Sequence, residues 1–448
     1  MRNYSRPLSR PIICIAATCA SALLLARYGG EGIAPSLPFF ASCLCLAAAV
    51  FCSRRPRLCS GLLLGAVFFL AATDGLVQFQ TDRQQAAPQV VTSASLSRLD
   101  RALLTLQDWR QAAGSEFREQ GISGQAYAVL SAMILGDKSA LSSETRNVFS
   151  VSGASHILAV SGLHIGILFQ LTLLLLGGRR HKALATVLAI PAIWMYTLFI
   201  GLPASAVRSA SMLTLYSIGW VMQRGGQSIV PLCWAATVMM LLRPAWLWDV
   251  GFQLSFASVL SILLLMPGMQ RGYRSYTRRI PCAWLRRPAE GVCASVCMSL
   301  AALLGTSPLV LHVFHRFSTY AILTNFVAIP GAFAVVYLGV FTLCLHPLPL
   351  MQSWMAGILD GSIRCLASLL GSLASLPGAS VEGVETNIPQ LCFLYGSIVA
   401  GVLAIRKLHQ SRSHQRHLSA LHRDCISRVN QISPQDCSPG HCPHTLSS

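Results

Sequence analysis

Apolar residues in this chain arrive in continuous blocks of roughly twenty, the length a helix needs to cross the hydrocarbon core of a bilayer. Lipid offers the backbone no hydrogen bonds, so a spanning block must be a helix or belong to a closed barrel. Barrel strands alternate apolar and polar residues, and these blocks do not. The pattern therefore predicts an all-α polytopic integral membrane protein, with about 12 transmembrane or re-entrant helices and an amphipathic surface helix. Composition excludes most alternatives. Of 448 residues, 53% are hydrophobic and 11% charged, against ~25% charged in soluble domains. A water-soluble enzyme, a disordered chain, a coiled coil and a disulfide-stapled secreted domain are all ruled out.

The candidate spans lie near 11–27, 33–52, 59–79, 155–177, 183–200, 203–222, 228–243, 246–266, 291–311, 319–345, 350–376 and 389–405. The short segment 228–243, and 350–376 with Asp360 and Arg364, read equally well as re-entrant or interfacial, and 319–345 is ambiguous because Pro330-Gly331 should break or kink it. Four regions follow: a three-span N-terminal region over 1–80, an extracytoplasmic linker over 81–154, a membrane core over 155–405, and a basic His-rich tail over 406–448, expected to be disordered. In the linker, Leu99, Leu103, Leu106 and Trp109 recur at helical spacing and predict an amphipathic surface helix. Arg2, Arg6 and Arg10 precede the first span, whose apolar run is too long for a signal peptide.

Net charge is +18, from 34 Lys+Arg against 16 Asp+Glu, and all but Lys138, Lys182 and Lys407 of the basic residues are Arg. If the N-terminus is inside, the loops expected inside are basic: Arg54-Arg55, Arg179-Arg180, Arg224, the cluster Arg271 to Arg287 and the tail. The exception is 346–349, also expected inside, which offers only His346. Both termini are thus expected to be cytoplasmic. Most of the 16 Cys sit in apolar segments, where thiols act as small apolar groups. Cys437, His441, Cys442 and His444 have only loosely metal-like spacing, so no metal or other cofactor is expected. No P-loop and no H-E-x-x-H motif is present.

Ionisable groups inside spans are expensive and mark candidate pathways. Ser161 and His164 share a helical face, about 9 Å deep if the span starts at 155. Gly162 and Gly166 let a neighbouring helix approach. Arg208 must reach a headgroup, a carboxylate or a water-filled cavity. Asp249, four residues before Gln253, is a plausible partner for it. His312, His315 and Arg316 mark the outside end of the ninth span, and Asn325 enters the tenth. On this topology, His156, Ser161, Gly162, His164, Arg208, Asp249, Gln253, His315 and Asn325 line a polar funnel opening outward. A Ser161/His164 nucleophile pair is the weaker reading, because no oxyanion hole can be read beside it.

Leu135-Gly136-Asp137, His156-Ile-Leu-Ala-Val-Ser-Gly-Leu-His164, the Pro203…Arg208 segment, Asp249-Val-Gly-Phe-Gln-Leu-Ser-Phe256 and His315-Arg-Phe-Ser318 with Asn325 and Pro330 occur in order. The set resembles the signature of the ComEC competence proteins, over about residues 125–335. The resemblance implies an inner-membrane channel that translocates single-stranded DNA into the cytoplasm during natural transformation, and no enzyme activity of its own. It implies partners as well: a separate DNA-binding receptor, a nuclease, a cytoplasmic motor ATPase and, optionally, further copies of the chain. Fuller members carry an outside OB-like domain and a C-terminal metallo-β-lactamase-like domain, so a reduced member is expected here. A DNA channel wants cations and aromatics, which Arg208, Arg316, Trp248, Phe252, Phe314 and Phe317 offer. The alternatives are a transporter of a smaller solute and, behind it, an intramembrane Ser/His hydrolase.

Overall fold

The computed structural model describes residues 6–29, 36–51, 56–84, 98–176, 182–221 and 229–404. The tail with its Cys/His group, and the basic residues Arg54-Arg55, Arg179-Arg180 and Arg224, lie outside the described residues. The chain divides into two compact units, Met1–Thr386 and Asn387–Ser448.

In the first unit the helices are α1 (Arg6–Gly29), α2 (Ser36–Phe51), α3 (Pro56–Gln84), α4 (Arg98–Glu119), α5 (Gly124–Leu130), α6 (Ser143–Val151), α7 (Gly162–Leu175), α8 (Lys182–Phe199), α9 (Ala204–Val221), α10 (Ile229–Leu242), α11 (Val250–Thr277), α12 (Ala283–Phe314), α13 (Ala321–Cys344) and α14 (Pro349–Ala374). A π-helical turn, Ser131–Leu135, extends α5, and a 3-10 turn, Pro244–Trp248, precedes α11. Two short strands, β1 (Arg316–Ser318) and β2 (Ser380–Glu382), pair antiparallel and close the base of the α13–α14 hairpin. The second unit contributes α15 (Ile388–Ala404). The Asn387 amide before it donates to Gln390 Oε1 at 2.9 Å, one half of a capping box.

The protein is an all-α membrane protein in which each of the twelve apolar blocks forms a helix, but the helices differ in reach. Among the described residues, α11, α12, α13 and α14 are long and apolar enough to cross a membrane. Helices α7 and α10 have 14 residues each, about 21 Å of rise against a ~30 Å hydrocarbon core. The expected count of about twelve crossings is therefore not established by helix length. Residues 152–161 form no helix at all, although Ala154, Ile157, Leu158 and Val160 within them are buried. The span expected from 155 begins as a helix only at Gly162. The tenth segment was expected to break or kink at Pro330, and α13 runs through that residue as one continuous helix.

The largest core departs most from the expected layout. Phe117, Ile122, Leu130, Met133, Leu135, Phe149 and Ile157 pack with Ala328, Ala332 and Val335 of α13 and Leu359, Ile363 and Leu366 of α14. The C-terminal half of the expected outside linker is thus core. It runs along the full α13–α14 hairpin. At the turn end, Gln352 Nε2 donates to Glu116 Oε1 at 2.7 Å and His346 Nδ1 lies 3.2 Å from the same oxygen. At the strand end, Arg316 Nη1 donates to Asn147 Oδ1 and Ser150 Oγ. Residues 346–349 were expected on the opposite side of the membrane from the 81–154 segment, yet His346 touches Glu116. The apolar 3.6-residue pattern located these helices correctly but carries no information about which loop meets which. The amphipathic helix is present as α4, with Trp109 exposed and Phe117 fully buried.

Two glycines fix local turns. Gly136 ends the π-helical turn at φ +74, and a Cβ there would lie 3.5 Å from the Ile200 carbonyl oxygen. Asp137 then accepts the Ser139 amide at 2.9 Å. The Tyr196 hydroxyl donates to the Ile134 carbonyl at 2.8 Å, tying α8 to the same turn.

Candidate functional site

Three chain segments converge where α7, α9 and α11 begin. Ser161 is the N-cap of α7, with φ −116, not a residue one turn inside a helix. Its amide donates to His164 Nδ1 at 3.2 Å, and its hydroxyl lies 3.1 Å from the same nitrogen. An accepting Nδ1 puts the proton of the neutral ring on Nε2. That Nε2 is buried and has no hydrogen-bond partner among the described residues.

Gly162 allows α7 to meet α9: a Cβ on it would fall 2.7 Å from Ser209 Oγ. Gly166, its expected companion, has no atom within 4 Å of such a Cβ, so only half of the expected small-residue seam is used. Ser205 Oγ donates to the Val160 carbonyl at 2.6 Å and Ser209 Oγ to the Ser205 carbonyl at 3.0 Å. Between these serines, Arg208 is buried, with only 4% of its surface exposed. Its Nη1 pairs with Asp249 Oδ1 at 3.2 Å, and its Nε has no partner among the described residues. Asp249 is the N-cap of α11, and Oδ1 also accepts the Phe252 amide at 2.7 Å. The carboxylate stays 45% exposed. Gly251 keeps the guanidinium close, since a Cβ there would sit 3.1 Å from Arg208 Nη2. Gln253 Nε2 donates to the Leu247 carbonyl at 3.0 Å, which ties the first turn of α11 to the 3-10 turn before it.

Of the nine expected pathway residues, Ser161, Gly162, His164, Arg208, Asp249 and Gln253 thus belong to one connected cluster. His315 belongs to another. It ends α12 in the left-handed region (φ +52), and its carbonyl accepts the Gly383 amide at 3.0 Å. Beside it, Arg316 Nη2 pairs with Glu382 Oε1 at 2.8 Å and His312 Nδ1 donates to the Thr386 carbonyl at 2.7 Å. This second group closes the base of the α13–α14 hairpin. His156 is exposed, with Nδ1 3.2 Å from the Gly153 carbonyl. Asn325 Oδ1 and Thr324 Oγ1, adjacent on α13, are buried without partners among the described residues. No hydrogen bond or ion pair among the described residues joins His156 or Asn325 to the first cluster. The expected pathway residues thus fall into two hydrogen-bonded groups, with His156 and Asn325 bonded to neither among the described residues.

The aromatics are mostly packing. Trp248 meets the Tyr28 ring edge-on at 6.4 Å and carries the Arg27 guanidinium 4.6 Å above it. Phe252 is buried against Phe256 at 4.3 Å. Phe314 is exposed. The described residues contain no group of three or more His, Cys, Asp or Glu placed to hold a metal. Sequence reasoning missed Ser205, Ser209, Asn147, Ser150, Glu116 and Gln352. The first two carried a signal, since they flank Arg208 at i−3 and i+1 and are four apart on one face. The others meet partners more than 160 residues away, and no local pattern announces that.

A family model described as Competence protein matches residues 133–408. The chain is 28% identical over 293 residues to ComE operon protein 3 of Bacillus subtilis (strain 168), covering 62% of this chain and 34% of that protein. It is also 28% identical over 231 residues to an uncharacterized protein of Aquifex aeolicus (strain VF5), covering 51% of this chain and 50% of that one. The matched region thus spans about a third to a half of the length of these relatives. No solved structure matches.

Proposed function

The chain belongs to the Competence protein family, and on that premise we propose that it is an inner-membrane channel carrying single-stranded DNA into the cytoplasm. The observation that supports this reading best is the pair of buried donors without partners among the described residues, His164 Nε2 and Arg208 Nε, where α7, α9 and α11 begin. A phosphodiester offers acceptors only, so it complements unpaired donors. Helix N-termini carry partial positive charge and favour anions at the same place. Asp249 keeps the guanidinium neutralised while no strand is present. Because that carboxylate is half exposed, it can give way to a phosphate without the cluster unfolding. The receptor, nuclease and motor ATPase that present and pull the strand are separate proteins in this reading.

The test uses a deletion strain re-expressing wild type, Arg208→Met or Arg208→Lys at matched membrane levels. Labelled duplex DNA is supplied, and the nuclease-protected cytoplasmic pool is scored. Arg208→Met should lower import at least tenfold, and Arg208→Lys, which keeps the charge but not the fork of donors, should fall between. Equal import by Arg208→Met and wild type would remove the cluster from the pathway. Equal import by wild type and the deletion strain would end the channel reading and leave transport of a smaller solute as the next one.

A further inference from the structure

Helices α11 and α12 are too long for the membrane they cross, and what they carry beyond it is a cationic aromatic tip. The two pack closely: Ser261 Oγ donates to the Ala301 carbonyl at 2.6 Å, and a Cβ on Gly305 would lie 2.7 Å from the Ala257 carbonyl oxygen. They therefore share one frame. About twenty helical residues cross a ~30 Å hydrocarbon core. Counted from Asp249 the core ends near Met269 on α11, and counted from Phe314 it ends near Ala294 on α12. Trp284 stands about ten residues past that point, or ~15 Å, and Arg278 and Arg279 stand about as far on α11. Headgroups occupy only about 5–7 Å of this distance. A tilt of ~20° shortens the projection by about 3 Å and does not bring the tip back into the headgroups.

That distance decides between two readings of the same residues. Arginine and tryptophan at a membrane boundary ordinarily serve as topological charge and as an interfacial belt. A belt residue must lie at headgroup level, and Trp284 lies beyond it. Trp284 is 76% and Tyr276 69% exposed, both in water on this reckoning. Arg274, Arg278, Arg279 and Arg287 are also exposed. The one carboxylate at the tip, Glu290, is engaged by Thr277 Oγ1 at 3.3 Å and faces Arg286 Nε at 3.9 Å. Among the described residues no carboxylate pairs with the other four arginines. The Arg279 guanidinium lies 5.7 Å from the Tyr276 ring centre, so cation and aromatic already sit as one unit.

We propose that the α11–α12 tip is a binding site for single-stranded nucleic acid, with phosphates held by Arg274, Arg278, Arg279 and Arg287 and bases stacked on Tyr276 and Trp284. Every base has a π-face and every linkage a charge, so such a platform is indifferent to sequence and suits a strand being drawn past it. The proposal extends the channel reading by giving the strand a foothold on the basic side of the membrane. The site itself is tested independently of that reading.

The experiment is fluorescence anisotropy of a labelled 20-nucleotide oligo-dT with the full chain in zwitterionic nanodiscs, across a salt series. Tyr276→Ala/Trp284→Ala should weaken binding at least fivefold with charge unchanged. Arg278→Gln/Arg279→Gln/Arg287→Gln should lower the log–log salt slope by about 2, at roughly 0.7 per phosphate contact on a single strand. The matching triple Lys variant should keep the slope. The basic residues after Ala404 are the same in every variant, so differences report the tip. Monodisperse elution and unchanged helix content show that each variant is folded. Wild-type affinity and slope in all three variants would overturn the proposal. So would a tip whose substitution alters only the preference for anionic-lipid nanodiscs, which would mark it as a lipid anchor. If oligonucleotide binding depends on the tip but DNA import does not need the chain, the site stands and the channel reading fails. The converse result leaves the channel and removes the site.

Discussion

The Arg208–Asp249 pair is asymmetric, and the asymmetry gives a quantitative prediction. The arginine side chain is 5% exposed and the carboxylate 45%. Removing the acid strands a buried guanidinium whose Nε already lacks a partner among the described residues. Breaking a buried pair from one side costs about 3–5 kcal/mol. Asn caps helices as well as Asp does, so Asp249→Asn leaves the Phe252 amide satisfied and isolates the charge effect. Asp249→Ala should cost ~1 kcal/mol more, because the cap is lost too. Removing the arginine instead leaves a carboxylate that is half in water and still bonded to the Phe252 amide. Arg208→Met should therefore cost less, about 1.5–3 kcal/mol, a hydrogen bond to a charged group. The double variant Arg208→Met/Asp249→Asn should recover most of the Asp249→Asn loss. Unfolding in mixed micelles by SDS titration, read by tryptophan fluorescence and helical circular dichroism, measures all four. The reasoning is refuted if Asp249→Asn destabilises no more than Arg208→Met, or if the double variant is the sum of the singles.

Three further outcomes are expected. Gly305→Ala forces a methyl against the Ala257 carbonyl and Ser261 Cβ and should cost about 1–3 kcal/mol in the same titration, whereas Gly361→Ala, with open space around it, should be near neutral. Tyr196→Phe removes the bond to the Ile134 carbonyl and should cost ~1 kcal/mol without changing helix content by circular dichroism. Single reporter cysteines at 119–121 and in the 345–348 turn, in a cysteine-free background, should react with a membrane-impermeant maleimide from the same side of the membrane, because Glu116 touches His346.

The polar residues show where reading along the chain stops. Arg208 and Asp249 were legible as a pair because each is an ion in an apolar block, and two such charges need one another wherever the chain brings them. Gln253 was legible as a neighbour four residues from Asp249, and the structure gives it a backbone carbonyl as partner. Ser161 was placed inside a helix because the apolar run begins at 155. The run is real, but its apolar residues Ala154, Ile157, Leu158 and Val160 are buried as coil, and hydropathy reports burial without reporting conformation. Pro330 was expected to break or kink α13. The helix is not broken there, because Pro costs a helix one hydrogen bond and packing on either side holds the remainder.

Composition and the length of the apolar blocks were enough to determine that this is a helical membrane protein, since no other architecture satisfies a backbone in lipid. The ordered motifs were enough to place it in its family. That apolar residues of the 117–154 segment pack against α13 and α14, and that His315 and the Arg208–Asp249 pair sit in separate hydrogen-bonded groups, were decided by tertiary structure alone. The physical reason is that a helix buries a face whose residues are set by local periodicity, whereas the choice of neighbour depends on fit between surfaces far apart in the chain. Glycines such as 162, 251 and 305 settle that fit at contact distances that no composition encodes.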